Sequence, residues 1–375
     1  MGTQRLIHAL SRVYDIDVWC LQRRSSGVPS EAPASVRVRE FGYPLKGRTV
    51  WNFALSAVRR IPLNVYRNRN AAFAREVARA APQYPMVVVD HYEMYQYLPK
   101  GYTGKTVLVE HNVEFDLWER YAAVVESPMI RLLVRWEAKR IRRYEQAALR
   151  AVSAAICFSS NDAERARQLA ETARVYAVPL IGDISLLRVD PPIFAKTAPV
   201  VLYVGTLSWE PNIDGLHVFL EKAWGQVLRA MPQVRLHIVG KNPDKRILRA
   251  AARQPNVHVR GHLTQQELEA EYSVARVAIA PQRFGGGVKV KVVNAMMRGL
   301  PVVATPVAME GIADTREYGG IARTIEDMPS VLLSVLSDGA MWHSLSEQGR
   351  RLAEQRFGDA AVMSALTPVI RALST

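Results

Sequence analysis

The sequence predicts an α/β protein with two doubly wound, Rossmann-like domains. Three observations predict this fold class: a length of 375 residues, two series of short apolar runs that alternate with amphipathic stretches, and an irregular, proline-containing segment between the series. The length suits two domains of roughly 100–200 residues each. Apolar β-branched runs without polar alternation are typical of strands covered on both faces of a parallel sheet. Such sheets bind ligands beyond the carboxyl ends of their strands, so we expect two facing domains with a cleft between them.

The first domain is predicted to span residues 1–183, and it begins abnormally. Residues 3–14 are predicted to form a helix and residues 16–20 the strand after it, whereas a doubly wound sheet normally opens with a strand. The first strand and its loop are therefore missing from the pattern. Either Met1 is a mis-set start or the chain is a natural truncation. The later apolar runs are predicted strands at residues 86–90, 106–110, 154–158 and 175–178.

The second domain is predicted to span residues 199–356. Residues 184–198 precede it as a linker, because this stretch contains Asp190-Pro-Pro and is irregular. Helices are predicted at residues 214–229 and 289–298, and the C-terminal helix, 357–375, is expected to pack back on the first domain. The predicted strands of this domain are 200–204, 234–239, 257–259, 277–280, 301–304 and 320–322.

The composition excludes several classes of protein. Apolar residues make up 49% and charged residues 22%, which suits a soluble globular protein, and no run reaches the ~20 apolar residues of a membrane span. Cys20 and Cys157 are the only cysteines, so a disulfide framework is excluded and we expect a cytoplasmic location. The net charge of +14 favours phosphorylated substrates, anionic lipid or polyanions. We expect no nucleic-acid partner, because zinc-ligand spacing and RNP-like aromatic motifs are lacking.

The strongest local signal runs from Ala280 to Met296, after a predicted strand and into a predicted helix. Three glycines let the backbone approach a ligand, and a helix N-terminus offers free N–H groups with a positive dipole end, as a diphosphate requires. Arg283, Lys289 and Lys291 add cations. Lys291 and Asn294 lie about one turn apart, so they can serve phosphate and ribose respectively. The alternative is a flexible loop followed by a helix with solvated lysines.

Further motifs occur in both halves of the chain. The second half carries Gly205–Asp214, Ile238–Pro243 and Gly299–Thr305, and the first half carries Glu110-His-Asn-Val-Glu114 and Arg143-Tyr-Glu145. Together with the glycine-rich segment, these motifs resemble retaining family-four glycosyltransferases of exopolysaccharide and lipid-linked sugar assembly. The resemblance implies a GT-B fold, in which the first domain holds the acceptor and the second an NDP-sugar. It also implies no metal or other cofactor, because protein cations and helix dipoles neutralise the leaving diphosphate.

The resemblance also implies roles for individual residues. It places three catalytic residues at the reaction centre: His111, Lys291 and Arg283. The donor-binding positions are Gly205, Thr206, Lys241, His262, Gly285, Gly286, Gly287, Val288, Lys289 and Asn294. On the acceptor side it places His91, Glu93 and Glu114. A capping or packing role for residues 91–93 stays open.

The sequence departs from the family pattern at three positions. Many members carry two glutamates eight positions apart, where this chain has Gly286 and Asn294, and their usual arginine is replaced by Thr206. An amide still bonds ribose hydroxyls, but without the charge of a carboxylate. The alternative to an active transferase is therefore a weak or inactive GT-B protein that binds a sugar nucleotide or a partner enzyme. Fold alone would also admit an epimerase or a phosphorylase.

Two basic stretches indicate a membrane contact. Residues 129–144 combine six basic residues and one acid with Trp136 and Tyr144, and residues 51–79 combine arginines with Trp51, Phe53, Tyr66 and Phe73. Arginines interleaved with aromatic side chains suit an anionic membrane surface. We therefore expect a peripheral contact with the inner face of the plasma membrane and a glycan or polyprenyl-diphosphate-linked acceptor. The alternative is a pair of ordinary amphipathic surface helices.

Overall fold

The computed structural model describes residues 2–23, 36–43, 45–179 and 182–374. The chain divides into two compact units, and each is an α/β unit with parallel strands, as predicted. The first unit comprises residues 1–181 and 363–375, and the second comprises residues 182–362. The cleft expected between the domains stays a prediction.

The first unit has two parallel sheets. One pairs β1 (Asp17–Arg23) with β2 (Arg37–Tyr43), and the other has four strands in the order β3 (Met86–Asp90), β4 (Lys105–Glu110), β5 (Ala154–Cys157) and β6 (Val175–Ala177). The four later predicted strands are confirmed with small changes at their ends. The opening helix is shorter than predicted, and the strand after it is longer. The helices and strands of this unit in chain order are α1 (Gly2–Leu10), β1 (Asp17–Arg23), β2 (Arg37–Tyr43), α2 (Val50–Val58), α3 (Leu63–Arg67), α4 (Ala71–Ala80), β3 (Met86–Asp90), β4 (Lys105–Glu110), α5 (Glu114–Val124), α6 (Pro128–Ala151), β5 (Ala154–Cys157), α7 (Ser160–Leu169) and β6 (Val175–Ala177).

The core of the first unit joins the four-stranded sheet to α6 and α7. Leu108 and Ala155 of the sheet pack in one buried cluster with Ala148 of α6 and Ala163 of α7. Small residues on the helices allow close approach to the sheet, and the buried apolar area supplies the main stabilisation. The helix α6 begins at Pro128. Proline suits this position because it has no backbone N–H, and an N–H in the first helical turn would have no partner within the helix. This packing fixes the carboxyl ends of β3, β4 and β5 at one edge of the sheet.

The second unit has one parallel five-stranded sheet. Its strands lie in the order β11 (Val302–Ala304), β10 (Val277–Ala280), β7 (Val200–Val204), β8 (Arg235–Val239) and β9 (Val257–Gly261). Its central strand β7 carries Val200, Val201, Leu202 and Tyr203, all fully buried. The elements of this unit are β7 (Val200–Val204), α8 (Glu210–Phe219), α9 (Gly225–Ala230), β8 (Arg235–Val239), α10 (Lys245–Ala252), β9 (Val257–Gly261), α11 (Gln265–Val274), β10 (Val277–Ala280), α12 (Val290–Met297), β11 (Val302–Ala304), α13 (Pro306–Met309), α14 (Met328–Ser337) and α15 (Gly339–Phe357), and α16 (Asp359–Ser374) continues into the first unit.

Two predictions for the second unit are wrong in detail. The helix predicted at residues 214–229 begins at Glu210, because Pro211 fits a first helical turn, and it is interrupted by a π-helical turn at Leu220–Trp224. The strand predicted at 320–322 is a single bridge between Ala304 and Ile321. Within the predicted linker, residues 184–188 and 194–196 form 3₁₀ turns.

Candidate functional site

The glycine-rich loop of the second unit connects β10 to α12. It starts from buried Gln282 and Phe284, which anchor it to the unit. Gly285 has φ +150° and Gly287 has φ +65°, conformations that L side chains rarely adopt. The three glycines are buried, and the loop leads directly into the N-terminus of α12. This confirms the predicted succession of strand, glycine loop and helix.

Lys289 supports the loop from inside. Its side chain is buried, and its Nζ donates to the carbonyl oxygens of Gly286, at 3.1 Å, and Gly287, at 2.6 Å. These bonds fix the direction of the two carbonyl groups. The predicted direct contact of Lys289 with a diphosphate stays a prediction, as does that of Val288.

Lys291 lies in the first turn of α12 and points at the central strand. Its Nζ donates to the Tyr203 hydroxyl and to Asn212 Oδ1, both at 2.8 Å, and lies 4.3 Å from the centre of the Tyr203 ring. Burial lowers the pKa of Lys291 well below its usual value, and the charge of Lys289 acts in the same direction. Because both hydrogen-bond partners are neutral, an anion bound here would restore the charged form of the lysine.

Asn212 and Tyr203 are site residues that the sequence analysis missed. Asn212 is buried on α8; its Nδ2 donates to the carbonyl oxygen of Thr206, and its Oδ1 accepts from both Lys291 and Gln282. It therefore links the loop after β7 to the loop after β10. The signal lies in the motif Gly205–Asp214, in which Asn212 follows the buried strand β7.

Arg283 differs from the two lysines because it forms a bidentate ion pair. Its Nε and Nη2 lie 2.9 and 2.6 Å from the carboxylate of Asp214, and about a third of its side chain is exposed. A diphosphate at Arg283 would share that guanidinium with Asp214. The catalytic role of Arg283 stays a prediction.

Asn294 presents an acceptor with no partner among the described residues. Its Oδ1 is buried and makes no hydrogen bond, and a buried polar atom left unpaired costs about 1–3 kcal/mol. Because a ribose hydroxyl is a donor, it would satisfy this oxygen. The ribose role of Asn294 stays a prediction.

The loops after β7, β8 and β9 are tied together by main-chain hydrogen bonds. Gly205 N–H donates to Val239, and Gly240 N–H donates to Gly261. A Cβ on Gly240 would lie 1.7 Å from the Gly205 carbonyl oxygen, so only glycine permits this approach. The predicted donor-binding side chains on these loops are exposed: Thr206, Lys241 and His262.

The first unit places Asp90, His91 and His111 together at the carboxyl ends of β3 and β4. The rings of His91 and His111 stack at 3.9 Å, and His111 Nε2 lies 2.7 Å from Asp90 Oδ1. Thr3 Oγ1 donates to the other oxygen of Asp90 at 2.7 Å. His91 has φ +71°, an uncommon backbone conformation for a residue with a side chain. Asp90 is a third site residue that the sequence did not predict.

Burial and charge shift the pKa values of this cluster. Burial lowers the pKa of His91 to about 4, and the neighbouring His111 contributes in the same direction. For Asp90, burial raises the pKa, but the hydrogen bond and charge of His111 outweigh it and leave the pKa lowered. His91 is therefore neutral at pH 7, and Asp90 is ionised.

The two predicted acceptor-side acids have separate surroundings. Glu93 accepts a hydrogen bond from Asn68 at 2.9 Å. Glu114 accepts from Asn112 and from the Trp118 indole, and burial raises the pKa of Glu114. The acceptor role of both residues stays a prediction.

The prediction that no metal binds is not tested by the structure. One donor atom each from Asp90, His91 and His111 lies within 4.8 Å of the others. Carboxylate and imidazole groups are metal ligands, but here the carboxylate already accepts a hydrogen bond from the imidazole of His111. The cluster is thus internally bonded as it stands.

Solved structures similar to this chain decide its fold. Sucrose-phosphate synthase from Thermosynechococcus elongatus superposes with a TM-score of 0.74 over 99% of this chain and 92% of its own, at 16% identity. The fold is GT-B. Anabaena HepE, solved with UDP and glucose, gives a TM-score of 0.63 over 91% of this chain and 87% of its own, at 16% identity. TarM gives 0.62 over 84% of this chain and 58% of its own, at 14% identity.

Sequence comparison adds a family match in the second unit. Residues 198–338 match the model of a family described as "Glycosyl transferases group 1". A Klebsiella pneumoniae protein described as an "Uncharacterized 44.6 kDa protein in cps region" is 33% identical over 116 residues, which is 30% of this chain and 30% of that protein. The match spans less than a third of that relative, and the family match covers the unit that holds the glycine-rich loop.

Proposed function

We propose that this chain is a retaining glycosyltransferase that moves a hexose from an NDP-sugar to a glycan or lipid-linked acceptor in the synthesis of exopolysaccharide or another cell-surface polysaccharide. The observation that carries the proposal is Lys291, whose desolvated side chain has neutral hydrogen-bond partners beside a glycine loop and a helix N-terminus. Helix N-termini and buried cations both stabilise phosphate anions. The family match in the same unit and the UDP bound by Anabaena HepE support a nucleotide-sugar donor.

The proposed reaction develops negative charge on the leaving diphosphate. The bond between the sugar carbon and the phosphate oxygen breaks, and the electron pair stays with the NDP. The acceptor hydroxyl bonds to the same face of the sugar, and its proton passes to the released phosphate oxygen. Lys291, the amides of Gly286–Val288 and the N-terminus of α12 would stabilise that charge, which is the dominant contribution in reactions of this kind.

Asn294 is assigned to the donor ribose in this proposal. Its buried and unpartnered Oδ1 accepts a hydroxyl hydrogen. The exposed side chains of Lys241 and His262 complete the donor site from the loops after β8 and β9. Gly205 and Thr206 contribute backbone from the loop after β7.

The first unit is assigned to the acceptor. His111 is oriented by Asp90, so that its remaining ring nitrogen can meet a hydroxyl group. His91, Glu93 and Glu114 are placed on the same side of the reaction in the proposal. No metal and no cofactor take part.

A peripheral contact with an anionic inner membrane leaflet belongs to the same proposal. On α2, Val50 is 86%, Trp51 80% and Val58 81% exposed; on α6, Met129 is 74% and Leu132 69% exposed. Phe53 and Trp136 pack together at 5.2 Å, which connects the two apolar groups. Tyr66, Phe73 and Tyr144, by contrast, pack inward. Of the helices that the structure describes, none has the length and apolar character to cross a bilayer.

The experiment that tests the proposal has two steps. The protein is screened by thermal shift against UDP-, GDP- and ADP-sugars, and the stabilising donors are then assayed for NDP release and for glycosylated product. We expect stabilisation by at least one donor and turnover with a polyprenyl-diphosphate-linked or glycan acceptor. Stabilisation without turnover would favour the binding protein that Thr206 and Asn294 leave as the alternative. If none of the donors stabilises the protein, both the transferase and the sugar-nucleotide-binding protein are contradicted.

Co-sedimentation tests the membrane contact separately. Vesicles that contain anionic lipid should pellet the protein, and vesicles of neutral lipid should not. The variant Trp51→Glu should weaken this binding without changing turnover on a soluble acceptor. Equal binding to both kinds of vesicle would contradict an electrostatic contribution.

A further inference from the structure

A cavity of about 510 Å³ lies inside the first unit between the strands β1 and β3. Consecutive residues of both strands line it, from 15 to 21 and from 84 to 91. The other walls are apolar side chains of α1 and α4, among them Leu6, Leu10, Phe73 and Val77. β1 and β3 are each paired on one side only, β1 with β2 and β3 with β4, in the described part of the chain. Two open strand edges therefore face the same cavity.

The second unit shows what the same topology contains at this position. There the first strand, β7, lies between β8 and β10 and pairs in parallel with both. The order β9-β8-β7-β10-β11 corresponds to β2-β1-cavity-β3-β4 in the first unit. The helix α1 takes the place of α8, which follows β7. The cavity is thus at the place of a central parallel strand.

The two ends of the cavity define the direction of such a strand. At the amino ends of β1 and β3, the Tyr84 hydroxyl donates to Asp17, and the rings of Trp19 and Tyr84 meet at 5.4 Å. At the carboxyl end of β3, Thr3 in the first turn of α1 donates to Asp90. A strand parallel to β1 and β3 would end beside this first turn.

Two side chains in the cavity wall independently point to an occupant. Trp19 Nε1 is buried and has no hydrogen-bond partner within the described residues. Val88 is 39% exposed, although its strand, Met86–Asp90, has the uninterrupted β-branched sequence of a strand covered on both faces. An apolar strand with main-chain carbonyl groups offers a cover for the valine and an acceptor for the indole.

We propose that this cavity is a strand-acceptor site that binds one extended peptide segment of β-branched apolar residues. The segment runs parallel to β1 and β3 and joins the two sheets of the first unit into one. Five residues of such a strand span about 17 Å. The occupant is a peptide because open edges on both sides demand N–H and C=O groups at strand spacing, which an acyl chain does not carry. This inference does not depend on the proposed function.

Hydrogen exchange of the purified chain with a synthetic peptide tests the proposal. The probe copies residues 199–205, Pro-Val-Val-Leu-Tyr-Val-Gly, the central strand segment of the second unit, with two lysines added for solubility. We expect amides of β1 and β3 to exchange about tenfold more slowly with the peptide, because edge amides become paired. Amides of β8 and β10, whose neighbour β7 is already in place, should not change.

Two controls separate strand pairing from apolar filling. A probe of the same side chains, N-methylated at alternate residues, cannot donate its main-chain bonds and should give no protection. In the chain, Val88→Asp should abolish the effect, whereas Val58→Asp, at an 81% exposed position outside the cavity, should not. Circular dichroism and thermal unfolding show whether each variant folds.

Three results would overturn the proposal. The first is unchanged exchange of β1 and β3 at saturating native-sequence probe. The second is equal protection by the N-methylated probe, which would make the site a general apolar cavity. The third is protection that grows with protein concentration in the absence of peptide, which would assign the edges to a second copy of this chain.

Discussion

Lys291 in the second unit and His111 in the first unit have hydrogen-bond partners of opposite kinds. In the second unit, Lys291 is held by a hydroxyl and an amide oxygen, both neutral. In the first unit, His111 is bonded to the carboxylate of Asp90, whose other oxygen is bonded to Thr3. A lysine held by neutral groups regains its charge when an anionic ligand binds, whereas a histidine paired with a carboxylate is oriented instead. Under the proposed function, the second unit stabilises charge and the first unit positions the acceptor.

Removing the charge of Lys291 should give the largest effect. Lys291→Met keeps the length of the side chain, and we expect turnover to fall about 10²–10³-fold, the usual effect of losing one group that stabilises developing charge. Steady-state NDP release measures it. Lys245→Met, at an exposed position of α10, is the matched control, and Glu93→Gln should have a much smaller effect. Equal small effects of Lys291→Met and Glu93→Gln would remove the distinction between the two clusters.

The Asn294→Ala substitution should act on binding and stability in opposite directions. Loss of the ribose acceptor should weaken donor binding up to about tenfold, since a net hydrogen bond contributes about 0.5–1.5 kcal/mol. The thermal midpoint of the free protein should stay unchanged or rise, because a buried oxygen without a partner is removed. Calorimetry with the donor and thermal unfolding without it measure the two. A lower midpoint with unaltered donor affinity would make Asn294 a structural residue.

The histidine cluster should make the stability of the protein depend on pH. Because the pKa of His91 is lowered to about 4 in the folded chain and is about 6.5 in an unfolded one, the unfolded state binds more protons between these values. The stabilisation is complete above pH 6.5 and is lost as the pH falls toward 4, by on the order of 1–3 kcal/mol. Denaturant titration at several pH values should show that the free energy of unfolding depends less steeply on pH in His91→Asn than in the unchanged protein. Asparagine is the replacement because it tolerates the positive φ of this position. Asp90, whose pKa is lowered, adds a stabilisation that is present throughout this window and is lost only at lower pH.

Removal of metal ions should give the smallest effect. Treatment with EDTA should leave turnover unchanged, because Lys291 and the helix N-terminus supply the charge at the diphosphate. Loss of activity that a divalent ion restores would assign a metal to Asp90, His91 and His111, whose donor atoms lie within 4.8 Å of one another. The first unit would then stabilise charge through that metal ion.

The sequence predicted the parts of the site that depend on local patterns. Strand β10, the glycines and the helix with Lys291 and Asn294 are adjacent in the chain, so their succession follows from β-branched runs and glycine positions. Asn212 and Asp90 were missed, because their partners lie 79 and 21 positions away. The start of α8 was misplaced because Pro211 and Asn212 resemble a loop, although proline suits a first helical turn.

By itself, the amino-acid sequence determined the α/β class and most strand positions, because these depend on hydrophobic periodicity within short windows. Only the tertiary structure decided which charges are available. In the folded chain, Arg283 forms an ion pair with Asp214, and Lys289 donates hydrogen bonds to the loop carbonyl groups. Lys291 has neutral hydrogen-bond partners. It also formed a cavity between β1 and β3, whose facing edges are unpaired among the described residues. Burial and long-range contacts set these properties, and neither is encoded in the spacing of residues along the chain.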